Sequence, residues 1–292
     1  MPTYSARATV LKKTKLGETD LIITLIATDG RELRAVAKGA RKPGSRIGAR
    51  VEPFTVLEGQ FATGRNLDVI SDVRTVTIHA NLRDDYDKLL VASVAAEMLG
   101  IVAEQAQASE FLYEMSAMLF DVMDASSADK APQLLIAWML KLFAVLGYRP
   151  ILEDCAICGR SVAMTTPDNV AISAILSNPP VIPSNPPVIP GLTRDLDVDD
   201  NAATAERFCW SAEAGGVICT TCGAGQFIPL DTYPVAALAW LRTLLAATFA
   251  EAAIYELAPA LQRDLFTLTA AFAVEHFPAR LKALEFYQQQ AQ

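Results

Sequence analysis

The chain has 292 residues, 52% of them apolar, and a formal net charge of −8. That length admits one large core or two modest ones and favours two domains, and so high an apolar share excludes a chain that stays unfolded. No stretch supplies the ~18 uncharged apolar residues of a membrane-spanning helix, because Lys141 interrupts 131–148 and Arg242 interrupts 234–250. The start, Met1-Pro-Thr-Tyr-Ser-Ala-Arg7, lacks the apolar core of a secretory signal, so the cytoplasm is the expected compartment.

Residues 1–80 carry the two-residue rhythm of strands. Ala8 and Val10 alternate with Thr9 and Leu11, Leu21 to Ile26 form an apolar β-branched run, and Asp29-Gly30 predicts a hairpin turn. Leu33, Ala35 and Ala37 then fall on one face of a strand, with Arg34, Val36 and Lys38 on the other. Further strands are predicted over 51–61 and 67–79, around the turn Thr63-Gly64-Arg65-Asn66. Five short strands suit a small closed barrel better than an open sheet with bare edges.

This leading module is basic and the rest is acidic. Residues 1–80 hold 13 Lys and Arg against 8 Asp and Glu, whereas the remainder holds 12 against 25. Such asymmetry points to a polyanion held against the first module and repelled by the body, although a small surplus of charge also fits an ordinary solvated surface. The cations gather in Lys38-Gly39-Ala40-Arg41-Lys42-Pro43-Gly44-Ser45-Arg46, a loop with four cations and no acid. Side chains and backbone N–H groups of such a loop can lie along phosphates without reading bases. Gly39 and Gly44 are spaced as in a nucleotide-cradling loop, but the Lys-Ser/Thr pair that engages phosphate and magnesium is absent, so nucleotide hydrolysis is not expected. Tyr4, Phe54 and Phe61 are the module's aromatics, and at least two are expected in the core. Base stacking is therefore a minor contributor, and binding should be salt-sensitive and tolerant of single and double strands.

Near residues 80–83 the period changes to that of helices. Segments 84–105, 109–125, 131–147, 232–256 and 259–276 are predicted helices, with stops at Gly147 before Pro150 and at Pro278, and with Pro259 opening the last one. The tail from Gln288 to Gln292 is expected to fray. His79 and His276 fall in separate predicted domains and read as structural or surface residues. No Gly-x-Ser-x-Gly elbow occurs, and the acidic pairs Asp84-Asp85 and Asp199-Asp200 sit in a linker and an insert, so an enzyme is not expected.

Between the third and fourth helices lie two knuckles, Cys155-Ala-Ile-Cys158-Gly159 and Cys219-Thr-Thr-Cys222-Gly223. Each pair can aim two sulfurs at one ion, and the glycine after it permits a tight turn that brings backbone N–H groups to the thiolates. Cys155, Cys158, Cys219 and Cys222 together supply the four soft ligands of a closed, structural zinc site. A pair of redox or disulfide dithiols is the competing reading. The 60 residues between the knuckles exceed the usual spacing, and part of the excess is a tandem duplication, Ser177-Asn-Pro-Pro-Val-Ile-Pro183 repeated as Ser184-Asn-Pro-Pro-Val-Ile-Pro190. With Asp195 to Asp200 it reads as a Pro-rich insertion in a loop tip. Cys209, outside both knuckles, is either a substitute ligand or a half-buried cysteine between Phe208 and Trp210.

Val10-Leu11, Gly17-Glu18-Thr19-Asp20, Ala37-Lys38-Gly39-Ala40-Arg41, Ser45-Arg46 and Pro53-Phe54 resemble the N-terminal signature of the bacterial RecO family of DNA repair proteins. Gly215-Gly216-Val217-Ile218-Cys219 resembles that family's zinc region, and only about 170–203 departs from it. The resemblance implies an α+β protein: an N-terminal OB-fold barrel over 1–80, then an all-α helical domain over 81–292 with the zinc-binding region 153–225 inserted. It implies a mediator of DNA repair and homologous recombination that binds single- and double-stranded DNA and anneals complementary strands. It further implies a partner RecR, with which RecA is loaded onto DNA coated by SSB, and docking of the SSB C-terminal tail on the helical domain. The DNA-facing residues so implied are Arg31, Arg34, Lys38, Arg41, Lys42 and Arg46, with Lys12, Lys13 and Lys15 as weaker additions. Two other classes compete: a zinc-stabilised protein-interaction adaptor with incidental DNA contact, and a zinc hydrolase. Four-cysteine ligation counts against the hydrolase because it leaves no open metal position.

Overall fold

Alternating apolar and polar residues produce five strands, β1 (Thr3–Leu16), β2 (Asp20–Ala27), β3 (Glu32–Ala37), β4 (Thr55–Ala62) and β5 (Asp68–Ile78). They close into a barrel in the order β1-β2-β3-β5-β4. The pairing of β3 with β5, at Ala35↔Asp68 and Val36↔Val69, is parallel, whereas the other neighbours run antiparallel. This arrangement is compatible with an OB-fold. The computed structural model describes residues 2–105, 109–162, 207–226 and 230–290, so the Pro-rich insertion lies outside the described residues.

The barrel is narrow because small and branched residues fill it. Ala8, Val10, Ile23, Leu25, Ala35, Ala37, Leu57 and Phe61 are fully buried there. Tyr4 stacks on Phe61 at 5.4 Å, so this aromatic pair faces the barrel's own packing. The strand expected from residue 51 begins only at Thr55. Before it, Phe54 adopts a left-handed backbone, with φ 62°, which a bulky residue adopts only when its surroundings compel it. Here the surroundings are explicit: the Phe54 N–H donates to the Val10 carbonyl at 2.8 Å, and the ring lies 5.2 Å from that of Phe120.

Helices follow: α1 (Arg46–Arg50) inside the first module, then α2 (Ala80–Asp84), α3 (Tyr86–Glu104), α4 (Glu110–Ala125) and α5 (Ala131–Val145). The apolar run of α5 is buried all round, and Trp138 on it donates to Ser116 Oγ at 3.1 Å. Next come α6 (Thr220–Ala224), α7 (Val235–Ala246), α8 (Phe249–Ile254), α9 (Pro259–His276) and α10 (Lys282–Gln290). The single helix expected over 232–256 is interrupted. Thr248 opens a new one with a capping box, its hydroxyl accepting from the Glu251 N–H at 3.2 Å while Glu251 Oε2 accepts from the Thr248 N–H at 2.7 Å. Helix α10, beyond the expected stop at Pro278, escaped the sequence reading, and its Leu284 is fully buried.

One expectation needs correction. The second part is not all-α, because β6 (Arg207–Ser211), β7 (Gly216–Cys219) and β8 (Thr232–Pro234) form an antiparallel sheet in the order β7-β6-β8. Nor does the cysteine region loop out of the bundle. Phe208, Cys209, Trp210, Val217 and Ile218 belong to the same apolar core as α3, α4, α5, α7 and α9. The barrel keeps a core of its own, while its outward Leu11, Ile26 and Phe54 join the helical core. His79 fastens the junction, with Nδ1 2.6 Å from the Phe54 carbonyl oxygen and Nε2 2.8 Å from Asp121 Oδ1 on α4.

Lysines of the acidic body serve helix ends. Lys88 Nζ donates to the Asp124 carbonyl at 3.1 Å near the end of α4. Lys130 Nζ reaches the Tyr255 carbonyl at 3.0 Å after α8, and Lys141 Nζ reaches those of Leu244 and Leu245 at 3.3 and 2.5 Å at the end of α7. These are the negative ends of the helix dipoles, and the pairing turns three cations inward. Among the described residues, no helix is long and apolar enough to cross a membrane.

Candidate nucleic-acid interface and cysteine cluster

The loop after β3 is held from beneath. The Gly39 N–H donates to Asp20 Oδ1 at 2.8 Å, and the Thr19 hydroxyl donates to the same oxygen at 2.9 Å. The Arg41 N–H donates to the Thr19 carbonyl at 2.9 Å, while its Nη1 donates to the Gly17 carbonyl at 3.1 Å. The Gly39 N–H, then the Thr19 hydroxyl and the nearby Lys38 and Lys42, hold the Asp20 carboxyl below its ordinary range. Ser45 caps α1, its hydroxyl accepting from the Gly48 N–H at 3.2 Å. Gly48 itself allows α1 to lie against the loop, because a Cβ there would stand 2.2 Å from the Ala40 carbonyl oxygen. A loop rich in glycine thus has a defined shape.

All six expected DNA-facing residues, Arg31, Arg34, Lys38, Arg41, Lys42 and Arg46, are exposed. Among the described residues, Arg34, Lys38, Arg41, Lys42 and Arg46 form no ion pair, whereas Arg31 is tied to Asp29 at 2.7 Å. Lys13 is likewise engaged, with Glu52. Lys12 pairs across to Thr24, and Thr24 to Arg34, which sets Lys12 and Arg34 on one outer row of the sheet. From Arg34 the free cations continue to Lys38 and the loop, along a strand on the order of 20 Å long. Sequence reasoning passed over the exposed Arg65, which lies in the turn before β5, whose first residue pairs with Ala35 of β3. A lone cation in a turn carries no local signal.

The two knuckles meet through backbone hydrogen bonds. The Ile151 N–H donates to the Gly215 carbonyl at 2.9 Å, the Val217 N–H to the Ile151 carbonyl at 2.9 Å, and the Ala156 N–H to the Val217 carbonyl at 2.8 Å. Gly216 is required for this approach, since a Cβ on it would stand 2.2 Å from the Ile151 carbonyl oxygen. The Sγ atoms of Cys155, Cys158, Cys219 and Cys222 consequently all lie within 4.8 Å of one another. Cys158 and Cys219 are 3.9 Å apart, far beyond a disulfide, and all five cysteines are free thiols.

Burial by itself raises the Cys155 thiol, but the N–H groups of Cys158, Cys219 and Ile157 aimed at its sulfur outweigh burial and bring it down to about 6. The Cys222 thiol is instead pushed up to about 12, chiefly by hydrogen bonding to the sulfurs of Cys219 and Cys158. Four thiolates this close repel one another, and a dication among them would remove that repulsion and let all four ionise. The donor set therefore fits a soft metal ion, with no fifth position offered. Cys209 is buried outside the cluster, and its sulfur lies against Gly223.

Comparison with known proteins gives the lineage. The profile Recombination protein O N terminal matches residues 1–79, and Recombination protein O C terminal matches 83–181. The DNA repair protein RecO of Cutibacterium acnes is 31% identical over 227 residues, covering 75% of this chain and 92% of that protein. The RecO of a Nocardioides species is 40% identical over 161 residues, or 53% of this chain and 64% of that one. The RecO of a Thermoanaerobacter species is 36% identical over 161 residues, or 55% and 64% of the two chains. This chain therefore belongs to the RecO family of DNA repair proteins.

Proposed function

We propose that this protein is a recombination mediator that binds single- and double-stranded DNA through its leading barrel and anneals complementary strands. The observation that carries this reading is the anchored, acid-free loop Lys38–Arg46 continuous with Arg34 on a barrel whose Phe54 and Phe61 are buried. Annealing brings two polyanions together, and cations that screen phosphates while leaving bases unstacked lower that barrier. In the cytoplasm it would act with RecR to load RecA onto SSB-coated DNA, the SSB tail docking on the helical domain. It is a binding protein and not an enzyme in this reading, and both histidines are engaged with backbone carbonyls, His276 with that of Ala212.

The metal we assign is structural zinc on Cys155, Cys158, Cys219 and Cys222. A tetrahedron of 2.3 Å Zn–S bonds has edges of about 3.8 Å, and Cys158 and Cys219 already stand 3.9 Å apart. When bound, the ion would join the two knuckles and so brace the β6–β7 lobe against the bundle.

The test is strand annealing and oligonucleotide binding with Lys38, Arg41, Lys42 and Arg46 all changed to alanine. Loss of annealing at moderate salt is expected, and the slope of log affinity against log salt should flatten by roughly 3, about 0.7 to 0.9 for each phosphate contact removed. Unchanged annealing would reject the proposal. A flat slope for the unaltered protein would favour the adaptor, a reading that the acidic body supports.

A further inference from the structure

We propose that the ends of α3, α5 and α9 form a binding site for an organic cation, the guanidinium or ammonium head of an arginine-like or lysine-like chain. The C-cap residues of these three helices, Gln105, Leu146 and Phe277, line one cavity of about 200 Å³. That volume lies below the roughly 300 Å³ at which pockets for drug-sized molecules begin, so the cavity takes a group of side-chain size. It lies in the helical body and does not depend on the DNA-binding reading.

Each helix C-terminus carries about half a negative charge, because its last carbonyls point out of the helix with no N–H ahead of them. After α5, the Gly147 and Tyr148 N–H groups turn back to the Ala144 and Phe143 carbonyls at 3.2 and 2.8 Å, and no described donor reaches those of Val145 or Leu146. After α9, Pro278 stands where a continuing helix would give an N–H to the Val274 carbonyl, and proline has none. Elsewhere the chain brings its own lysines to such carbonyls, Lys88 at α4, Lys141 at α7 and Lys130 after α8. Here it does not. Helices α3 and α5 have no basic residue in the last turn, and α9 has only His276.

The wall suits an organic cation. Tyr148, itself exposed, stacks on His276 with ring centroids 5.5 Å apart, and Phe272 backs His276 at 4.1 Å, so the aromatic side is fixed in place. A cation over the face of such a ring is attracted by its quadrupole. His276 Nε2 lies 3.1 Å from the Ala212 carbonyl oxygen, which can only accept, so in the neutral ring Nδ1 is left as an acceptor. Ile101 and Val102 offer aliphatic surface to the stem of the ligand. Among the described residues, no lysine or arginine lines the cavity to repel a cation, and no carboxylate lines it to hold a divalent metal ion.

The test titrates the full chain with N-acetyl-arginine methylamide and follows the ring resonances of its two histidines. Those of His276 should shift and those of His79 should not. The citrulline analogue, matched in shape but uncharged, should bind about tenfold more weakly. Gln105→Lys places an ammonium of the chain itself at the site and should weaken binding of the arginine probe by about tenfold. Glu114→Gln, the same change of net charge on the exposed face of α4, should leave that binding unaltered. Tyr148→Phe should bind like the parent, and Tyr148→Leu about three- to tenfold more weakly, since the ring face is what differs. Putrescine separates the sources: a tighter arginine probe assigns the site to a side chain of a partner protein, a tighter putrescine to a free diamine, and either supports the site. An unmoved His276, equal binding of the citrulline analogue, full binding in Gln105→Lys, or an equal loss in Glu114→Gln overturns it.

Discussion

The sulfur of Cys209 fills the space that a side chain on Gly223 would need, for a Cβ there would stand 2.3 Å from it. The two knuckle glycines thus do different things. Gly159 takes a left-handed backbone, with φ 67° and nothing within 4 Å of its missing side chain, so it serves the turn. Gly223 serves close packing of α6 on β6, and it defines Cys209 as a packing residue beside the four-cysteine cluster.

Gly223→Ala should therefore destabilise the protein by about 1–3 kcal/mol through overpacking. Changing Cys209 to alanine as well should recover part of the loss, because only the Cys209 Cβ, 3.0 Å from the new methyl, remains. Gly159→Ala should cost about 1 kcal/mol from its backbone alone, and Cys209→Ala should not rescue it. A thermal double-mutant cycle distinguishes the two, and equal rescue of both would show the glycines to be equivalent.

Removing the metal should loosen the lobe. Cys219→Ser is expected to cost several kcal/mol, and a chelator should lower the melting temperature of the unaltered protein. Elemental analysis should find one zinc per chain. A variant that melts like the parent would show the cluster to be dispensable.

Asp20 offers a test in which charge and geometry predict opposite signs. Asp20→Asn keeps an oxygen that can accept from the Gly39 N–H and removes a negative charge beside Lys38 and Lys42, so DNA binding should tighten modestly. Asp20→Ala removes the same charge together with the anchor, and should bind more weakly than Asp20→Asn, with faster exchange of the Gly39 amide. Equal affinities would mean that the loop needs no anchor. Because the Asp20 carboxyl sits below its ordinary value, the anchor's contribution is complete above that value and fades only as pH falls through the lower folded one.

Lys141 gives a dependence at the alkaline end. Burial is the main cause that brings its ammonium down to about 8 from 10.5, with Glu251 opposing. Between those values the unfolded chain binds more protons than the folded one, so the unfolding free energy rises with pH. Relative to Lys141→Met, the parent should gain thermal stability from pH 7 to pH 10. A constant difference would show that the amine is not desolvated as its place over the Leu244 and Leu245 carbonyls implies.

Local pattern alone was enough for much of this protein. Two-residue alternation marks the barrel strands, three- and four-residue spacing marks α3, α4, α5 and α9, and paired cysteines with a following glycine mark the four-cysteine cluster, because each signal lies within a few neighbouring residues. The tertiary structure decided what depends on residues distant in the chain. The two knuckles are brought together because Ile151 and Gly216 meet across the insertion, and the barrel closes only where β3 meets the distant β5. Which cations remain free was settled by distant or competing acids, Glu52 for Lys13 and Asp29 for Arg31. Composition placed positive charge in the first module, but Coulomb attraction depends on separation in space, and only the folded chain sets which charges cancel and which still face a phosphate.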